Sequence, residues 1–377
     1  MNLPPHIYVA SATDWQACLA RLKQEPRIAI DLEANSLYAY RERICLIQIS
    51  VPNQDYIIDP TLDLDLSGLG ALLADAAVQK VFHAAEYDLI LMKKEHGWQL
   101  NNLFDTMWAA RILGYKRFGL ANMLEAKFDV KVNKKYQKAN WCKRPLSPAQ
   151  LSYAQADTHY LLALRDMLAA ELAAANREAE AAELFAEQTE VEPPDTSFHP
   201  DDFWSINGVQ HLNRRQQAVA RALNVFRDQQ ARRKNRPPFK IFGNRTLLEL
   251  ARRQPEELDS LADVHGMSRG QLRRYGQSLL KVIASAQHDP LPKRPPRNHQ
   301  RPSEAVSDRY DRLHTWRKRT ARARGVESDV ILSRDSLWEL ARKNPHSRAE
   351  LAEVESLGPW RLRTYGSDLI ELLKDSN

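Results

Sequence analysis

The chain has 377 residues, which at roughly 150 residues per domain predicts two or three domains. Its 43% hydrophobic and 27% charged residues, with only 13 Gly and 20 Pro, exclude collagen-like and low-complexity chains. No apolar run approaches the ~18 residues of a membrane span, and the first residues lack the basic-then-apolar order of a secretory leader, so no membrane partner is expected. The three cysteines, Cys18, Cys45 and Cys142, are scattered and have no metal-knuckle spacing. That pattern predicts reduced thiols and a cytoplasmic location.

Charge is unevenly spread. Residues 1–200 hold 20 Lys and Arg against 26 Asp and Glu, whereas residues 201–377 hold 34 against 22. A basic half joined to an acidic half suggests a part that holds a polyanion and a part that does something else. The acidic half has one basic island: nine cations lie between Lys116 and Arg144, opposed only by Glu125 and Asp129. Within it, Lys134, Lys135, Tyr136, Lys138, Trp141, Lys143 and Arg144 mix cations for phosphates with aromatic faces for bases, the make-up of a single-strand RNA track. A solvated loop with two packing aromatics has the same composition.

In chain order, residues 27–33 are short, apolar and β-branched, and predict a buried strand. Residues 44–50 and 56–59 predict two more, joined by short turns into an antiparallel meander. Residues 69–77 read as a helix and 80–83 as a fourth strand. Helices follow over 86–95, 106–113 and 120–128. Ser147 then Pro148 is a cap and first-turn pair, predicting one long helix over 148–174. Strands followed by helices on one core make an α/β or α+β layer domain. The Glu-rich stretch 178–192, with Pro193 and Pro194 after it, predicts a linker.

The remainder repeats itself. Leu247, Glu249, Leu250, Ala251, Arg252 and Pro255 recur 90 residues later as Leu337, Glu339, Leu340, Ala341, Arg342 and Pro345. Tyr275-Gly276 recurs as Tyr365-Gly366, and Phe226-Arg227 as Trp316-Arg317, at the same offset. Two copies of one helical module are predicted, as two separate beads. Residues 290–302 between them are too rich in proline for a helix.

Asp31 and Glu33 stand at i and i+2 on a strand, so both point to one face. Asp88, near Glu86, falls at the start of a helix. Tyr153 and Asp157 stand at i and i+4 on a later helix and share a face. Each pair alone has a bland explanation: a strand end reaching solvent, a helix dipole favouring acids, or polar positions on an amphipathic helix. Together they are the hard oxygen donors that two divalent ions astride a phosphodiester require.

This combination resembles the three motifs of the DEDD exonuclease superfamily, in the variant with tyrosine in the third motif. The doubled module resembles the HRDC domain, and the whole order resembles the bacterial ribonuclease D family over about residues 5–375. The resemblance implies a ribonuclease H-like α/β exonuclease, a mixed sheet with flanking helices, over residues 1–195. It implies two small all-α HRDC domains at 208–288 and 305–377, with a Pro-rich linker at 289–304. It implies Asp31, Glu33, Asp88, Tyr153 and Asp157 as catalytic, the four carboxylates holding two Mg²⁺ or Mn²⁺ ions with Asp31 bridging, and Tyr153 orienting the attacking water. His83 is expected to be a structural residue at a strand end, and His159 to face away.

The implied activity is a 3′→5′ exoribonuclease that trims tRNA precursors and other small structured RNAs, releases nucleoside 5′-monophosphates and works as a monomer. Arg214, Arg215, Arg232, Arg233, Lys234 and the arginines of 317–324 would add phosphate contacts in the modules. Asn35 and Gln48, near the first motif, are open either as readers of the 2′-hydroxyl or as solubilising residues. A DNA-directed exonuclease and a non-catalytic RNA-binding protein are the competing readings.

Overall fold

A computed structural model describes residues 3–294 and 302–374. Part of the expected linker, and residues 375–377, lie outside the described residues. The chain packs as two units: Met1–Ala34, Ile44–Pro193 and His299–Asn377 form one, Asn35–Arg43 and Pro194–Asn298 the other.

The larger unit contains six strands among the described residues: β1 (Ile7–Val9), β2 (Arg27–Ala34), β3 (Ile44–Val51), β4 (Gln54–Ile58), β5 (Gln79–Phe82) and β6 (Leu103–Asp105). They form one sheet in the order β1-β4-β3-β2-β5-β6. The expected meander is present: β2–β3 and β3–β4 are antiparallel. β1–β4, β2–β5 and β5–β6 are parallel, a mixed sheet. Parallel neighbours need crossovers, and α1 (Ala12–Leu22), α2 (Ser67–Ala74) and α3 (Glu86–His96) supply them. β3 is buried at every position, as a covered inner strand must be.

After β6 come α4 (Thr106–Ile112), α5 (Leu120–Phe128), α6 (Pro148–His159), α7 (Leu161–Ala174) and α8 (Glu178–Thr189). Two expectations are corrected here. The single helix over 148–174 is two, broken at Tyr160. The break lets α6 lie over β2, β3 and β4 while α7 packs on α4, β2 and β5. The Glu-rich stretch is the helix α8: Ala181, Leu184 and Phe185 form an apolar stripe at helical spacing that is buried, and Glu180 is buried beside it.

In the smaller unit, α9 (Arg214–Arg233), α10 (Pro238–Ile241), α11 (Asn244–Arg253), α12 (Leu258–Ala262) and α13 (Arg269–Ala286) enclose their own core of Leu223, Leu247, Leu261 and Leu279. In the larger unit the repeat returns as α14 (Glu304–Arg324), α15 (Ser328–Ile331), α16 (Arg334–Lys343), α17 (Arg348–Ala352) and α18 (Pro359–Leu373). Its core is not a separate bead. Leu313, Leu337, Leu351 and Leu369 are continuous with the sheet's own apolar core.

The seam is also polar. Glu183 of α8 accepts from the backbone N–H of Trp360 and Arg361, and the Arg361 guanidinium reaches Glu187 at 2.8 Å. Arg324 lies 2.7 Å from Glu180, and Arg111 pairs with Glu327 and Asp329. A Cβ at position 358 would come within 2.1 Å of the Glu183 carboxyl carbon, so any side chain there would displace Glu183 from the seam.

Candidate active site

β2 delivers Asp31 and Glu33 to one side of the sheet, as strand alternation requires. α6 crosses that region with Tyr153 and Asp157 one turn apart. Its start is set locally: the Ser147 side chain accepts from the Gln150 N–H, with Pro148 in the first turn. Its seat is set by a buried polar network. Asp55 accepts from Ser50 at 2.6 Å and Gln155 at 2.7 Å, and His159 lies 2.7 Å from the same carboxylate. Burial pushes the Asp55 carboxyl up, but these bonds outweigh it and hold it below its usual range. His159 therefore faces Asp55.

Carboxylate oxygens of Asp31, Glu33 and Asp157 all lie within 4.8 Å of one another. Asp88, buried in the first turn of α3, stands outside that distance but close enough to Asp31 to feel its charge. Burial pushes Asp31 up to about 7. Burial, then the charges of Asp31, Asp157 and Asp88, push Glu33 up to about 10. Asp88 and Asp157 are pushed up by burial first and by Asp31 next. Among the described residues no basic side chain helps to set any of these four groups. Buried carboxylates without a cation must either take up protons or bind metal. Hard oxygen donors in this number fit a divalent ion of the Mg²⁺ class.

Tyr153 is half-buried beside Trp141 and Tyr136, with ring centroids at 5.9 and 6.2 Å. Burial, and then Asp157, Glu33 and Asp31, raise its phenol above the ordinary value, so it stays an O–H donor at neutral pH.

One anchor was missing from the sequence reading. Asp105 is fully buried and accepts from the N–H groups of Ala84, Ala85, Met107 and Trp108 at 2.8–3.2 Å. It caps α4 and also ties down the turn that enters α3, where Ala84 takes a left-handed φ of 64°. Asp88 is held through that turn. An Asp before a helical run is a recognisable cap, but its reach back to residue 84 is a tertiary feature. His83 lies 2.9 Å from the Thr106 hydroxyl, and burial lowers it to about 4, leaving it neutral.

The basic loop is sorted by burial. Lys134, Lys135, Lys138 and Lys143 are exposed and Tyr136 is partly so. Trp141 is corrected as a stacking platform: it is 1% exposed and packs against Cys45, Leu46, Ile57 and Ala154. Arg144 is corrected as a phosphate contact. Its guanidinium grips both Asp59 oxygens and the carbonyls of Trp141 and Cys45. Burial raises the Asp59 carboxyl, yet Arg144, Thr61 and Tyr8 hold it down at about 2. The expectation of three free thiols is also corrected: Cys45 of β3 and Cys142 of the loop form a disulfide, while Cys18 is free and buried. Asn35 closes its own loop by accepting from the Arg43 N–H.

Comparison with known proteins gives the family. The 3′-5′ exonuclease family matches residues 7–173, and the HRDC domain family matches 216–283 and 307–373. Ribonuclease D of Acidiphilium cryptum is 30% identical over 98% of this chain and 94% of its own length. The catalytic core of RRP6 from Trypanosoma brucei is 29% identical, with a TM-score of 0.66 over 75% of this chain and 79% of that one. Escherichia coli RNase D shares the fold, at a TM-score of 0.68 and 24% identity, over 98% of this chain and 99% of that one. No helix among the described residues is long and apolar enough to cross a membrane. An acid cluster on the sheet and two helical HRDC modules thus occur in one chain, and the chain belongs to the ribonuclease D family of 3′-5′ exoribonucleases, which are divalent-metal-dependent hydrolases.

Proposed function

We propose that the chain shortens tRNA precursors and other small structured RNAs from the 3′ end, with Asp31, Glu33, Asp88 and Asp157 holding two divalent ions, Mg²⁺ or Mn²⁺. The observation that carries this reading is the meeting of Asp31, Glu33 and Asp157 within 4.8 Å, beside buried Asp88. Asp31 neighbours Glu33, Asp88 and Asp157 closely enough to couple with all three, which suits it as the ligand shared by both ions. Bound divalent ions supply charge against the scissile phosphate, an acidified water and a stabilised leaving oxygen. Tyr153, held as a neutral donor one turn from Asp157, orients the attacking water. In-line attack breaks the bond from phosphorus to O3′ of the preceding nucleotide, so the product is a nucleoside 5′-monophosphate. Lys134, Lys135, Lys138 and Lys143 offer phosphate contacts for the incoming strand. The RNA substrate, rather than the cysteine pattern, is what supports a cytoplasmic location.

The test compares wild type with Asp31→Asn on a 3′-extended tRNA and a matched DNA strand, in Mg²⁺ and in EDTA. Stepwise 3′ shortening of the RNA, lost in EDTA and in the variant, is expected. Equal loss of the DNA strand, or tight RNA binding without shortening, would overturn the reading.

A further inference from the structure

β3 is buried along its whole length and carries two polar side chains, Ser50 and Gln48. Ser50 is satisfied: its hydroxyl bonds Asp55 at 2.6 Å and lies 2.8 Å from the Thr158 hydroxyl. Gln48 is not. It is 0% exposed, and neither its amide nitrogen nor its amide oxygen has a hydrogen-bond partner among the described residues. An unmet buried polar group costs about 1–3 kcal/mol. A Met or Leu would fill the same place at no such cost, so packing does not explain the amide.

The register says what lies beside it. Gln48 is the cross-strand partner of Asp31, in the antiparallel β2–β3 pair. Directly opposed residues project to the same face, so the amide lies on the face that bears Asp31 and Glu33. α6, with Asp157, covers this part of the sheet. Reading the 2′-hydroxyl requires contact with substrate, and Gln48 has no exposed surface. Supporting a carboxylate from behind requires none.

We propose that Gln48 is a positioning residue for the metal-holding carboxylates, its amide donating to the Asp31 carboxylate when the site holds its ions. The inference rests on the metal-centre reading above. A carboxylate has about four lone-pair sites, more than two ions use, and ligating carboxylates are themselves hydrogen-bonded. Gln48 offers two N–H donors and no charge, so it can fix the orientation of Asp31 without competing with a cation.

The test is calorimetric titration of Mn²⁺ into the full chain, wild type against Gln48→Met and Gln48→Leu, alongside melting in EDTA. Loss of a supporting hydrogen bond of this kind weakens metal binding by roughly tenfold. Both variants should therefore bind Mn²⁺ about tenfold more weakly, and melt in EDTA at or above the wild-type temperature, since they remove an unmet amide. Wild-type Mn²⁺ affinity in either variant would overturn the proposal. So would a fall in both melting temperature and affinity, which would make Gln48 a packing residue. Failure of wild type itself to bind Mn²⁺ would instead overturn the metal centre, and this inference with it.

Discussion

The larger unit gathers two groups of acids, and they are treated in opposite ways. On α8, Glu180, Glu183 and Glu187 meet Arg324 and Arg361, and Glu183 also accepts backbone N–H groups. At the sheet, Asp31, Glu33, Asp88 and Asp157 meet no cation among the described residues. A fold that ties its acids to its own arginines is using them as joints, because a charge left alone in the interior would outweigh what its packing contributes. On the function proposed above, the four acids at the sheet keep a place for a cation the chain does not encode.

Neutralising one acid in each group should separate the two roles most widely. Asp31→Asn should lower the exonuclease rate by about a thousandfold or more, since several kcal/mol of metal-dependent stabilisation are lost. The same change should leave the metal-free melting temperature unchanged or raised, because it removes repulsion. Glu183→Gln should do the reverse: activity is kept and stability falls by about 1–3 kcal/mol. Thermal melts in EDTA and initial rates in Mg²⁺ check both. A destabilised Asp31→Asn would break the comparison.

Removing the cation of the joint comes next. Arg361→Met takes the guanidinium from Glu183 and Glu187 while Glu183 keeps its backbone N–H donors, and should cost about 2 kcal/mol in chemical denaturation. The matching residue of the first module is Gln271, which makes the same internal bond: its amide donates to the Ile241 carbonyl, as Arg361 Nε does to Ile331. Gln271→Met should cost only about 1 kcal/mol. Equal losses would show that the outward reach of Arg361 contributes nothing.

The pH response sharpens the same contrast. In the metal-free fold the sheet carboxyls are raised, so their folded state binds protons more tightly than the unfolded chain. Their contribution to stability is therefore full below the ordinary carboxyl range and is lost as pH rises through about 7, the value for Asp31. Melting temperature in EDTA should fall between pH 5 and pH 8, two settings chosen for the experiment on either side of that value, and Mg²⁺ should restore most at the higher one. Glu180, pushed by burial to about 7, titrates in the same window. The Mg²⁺-dependent difference, not the bare slope, thus reports the sheet group.

The smallest effect belongs to the exposed loop. Lys134→Ala should weaken RNA binding a few-fold, uniformly across sequences, and reduce the salt slope by about 1. Arg144→Ala should act through stability instead, since Asp59 would be left buried and unpaired.

The two helical modules show how much of this was legible beforehand. Their helices keep the repeat's offset: Pro238–Ile241 becomes Ser328–Ile331, Asn244–Arg253 becomes Arg334–Lys343, and Leu258–Ala262 becomes Arg348–Ala352. Which copy joins the exonuclease core is not visible in that repeat. It follows from a few positions. Where the second has Arg324, Glu327, Asp329, Trp360 and Arg361, the first has Lys234, Pro237, Phe239, Gly270 and Gln271.

The sequence by itself determined what is local. Alternation along β2 put Asp31 and Glu33 on one face, helical spacing put Tyr153 above Asp157, and Ser147 with Pro148 started α6. These rules act over one turn or one pleat, so a single chain states them. Only the tertiary structure decided that α6 ends at Tyr160, that the α8 glutamates are joints, that Trp141 is buried and that Arg144 is tied to Asp59. It alone also joined Cys45 to Cys142 and left Gln48 unmatched beside Asp31. Each of these depends on what another segment, tens of residues away, places against the side chain, and no local pattern carries that information.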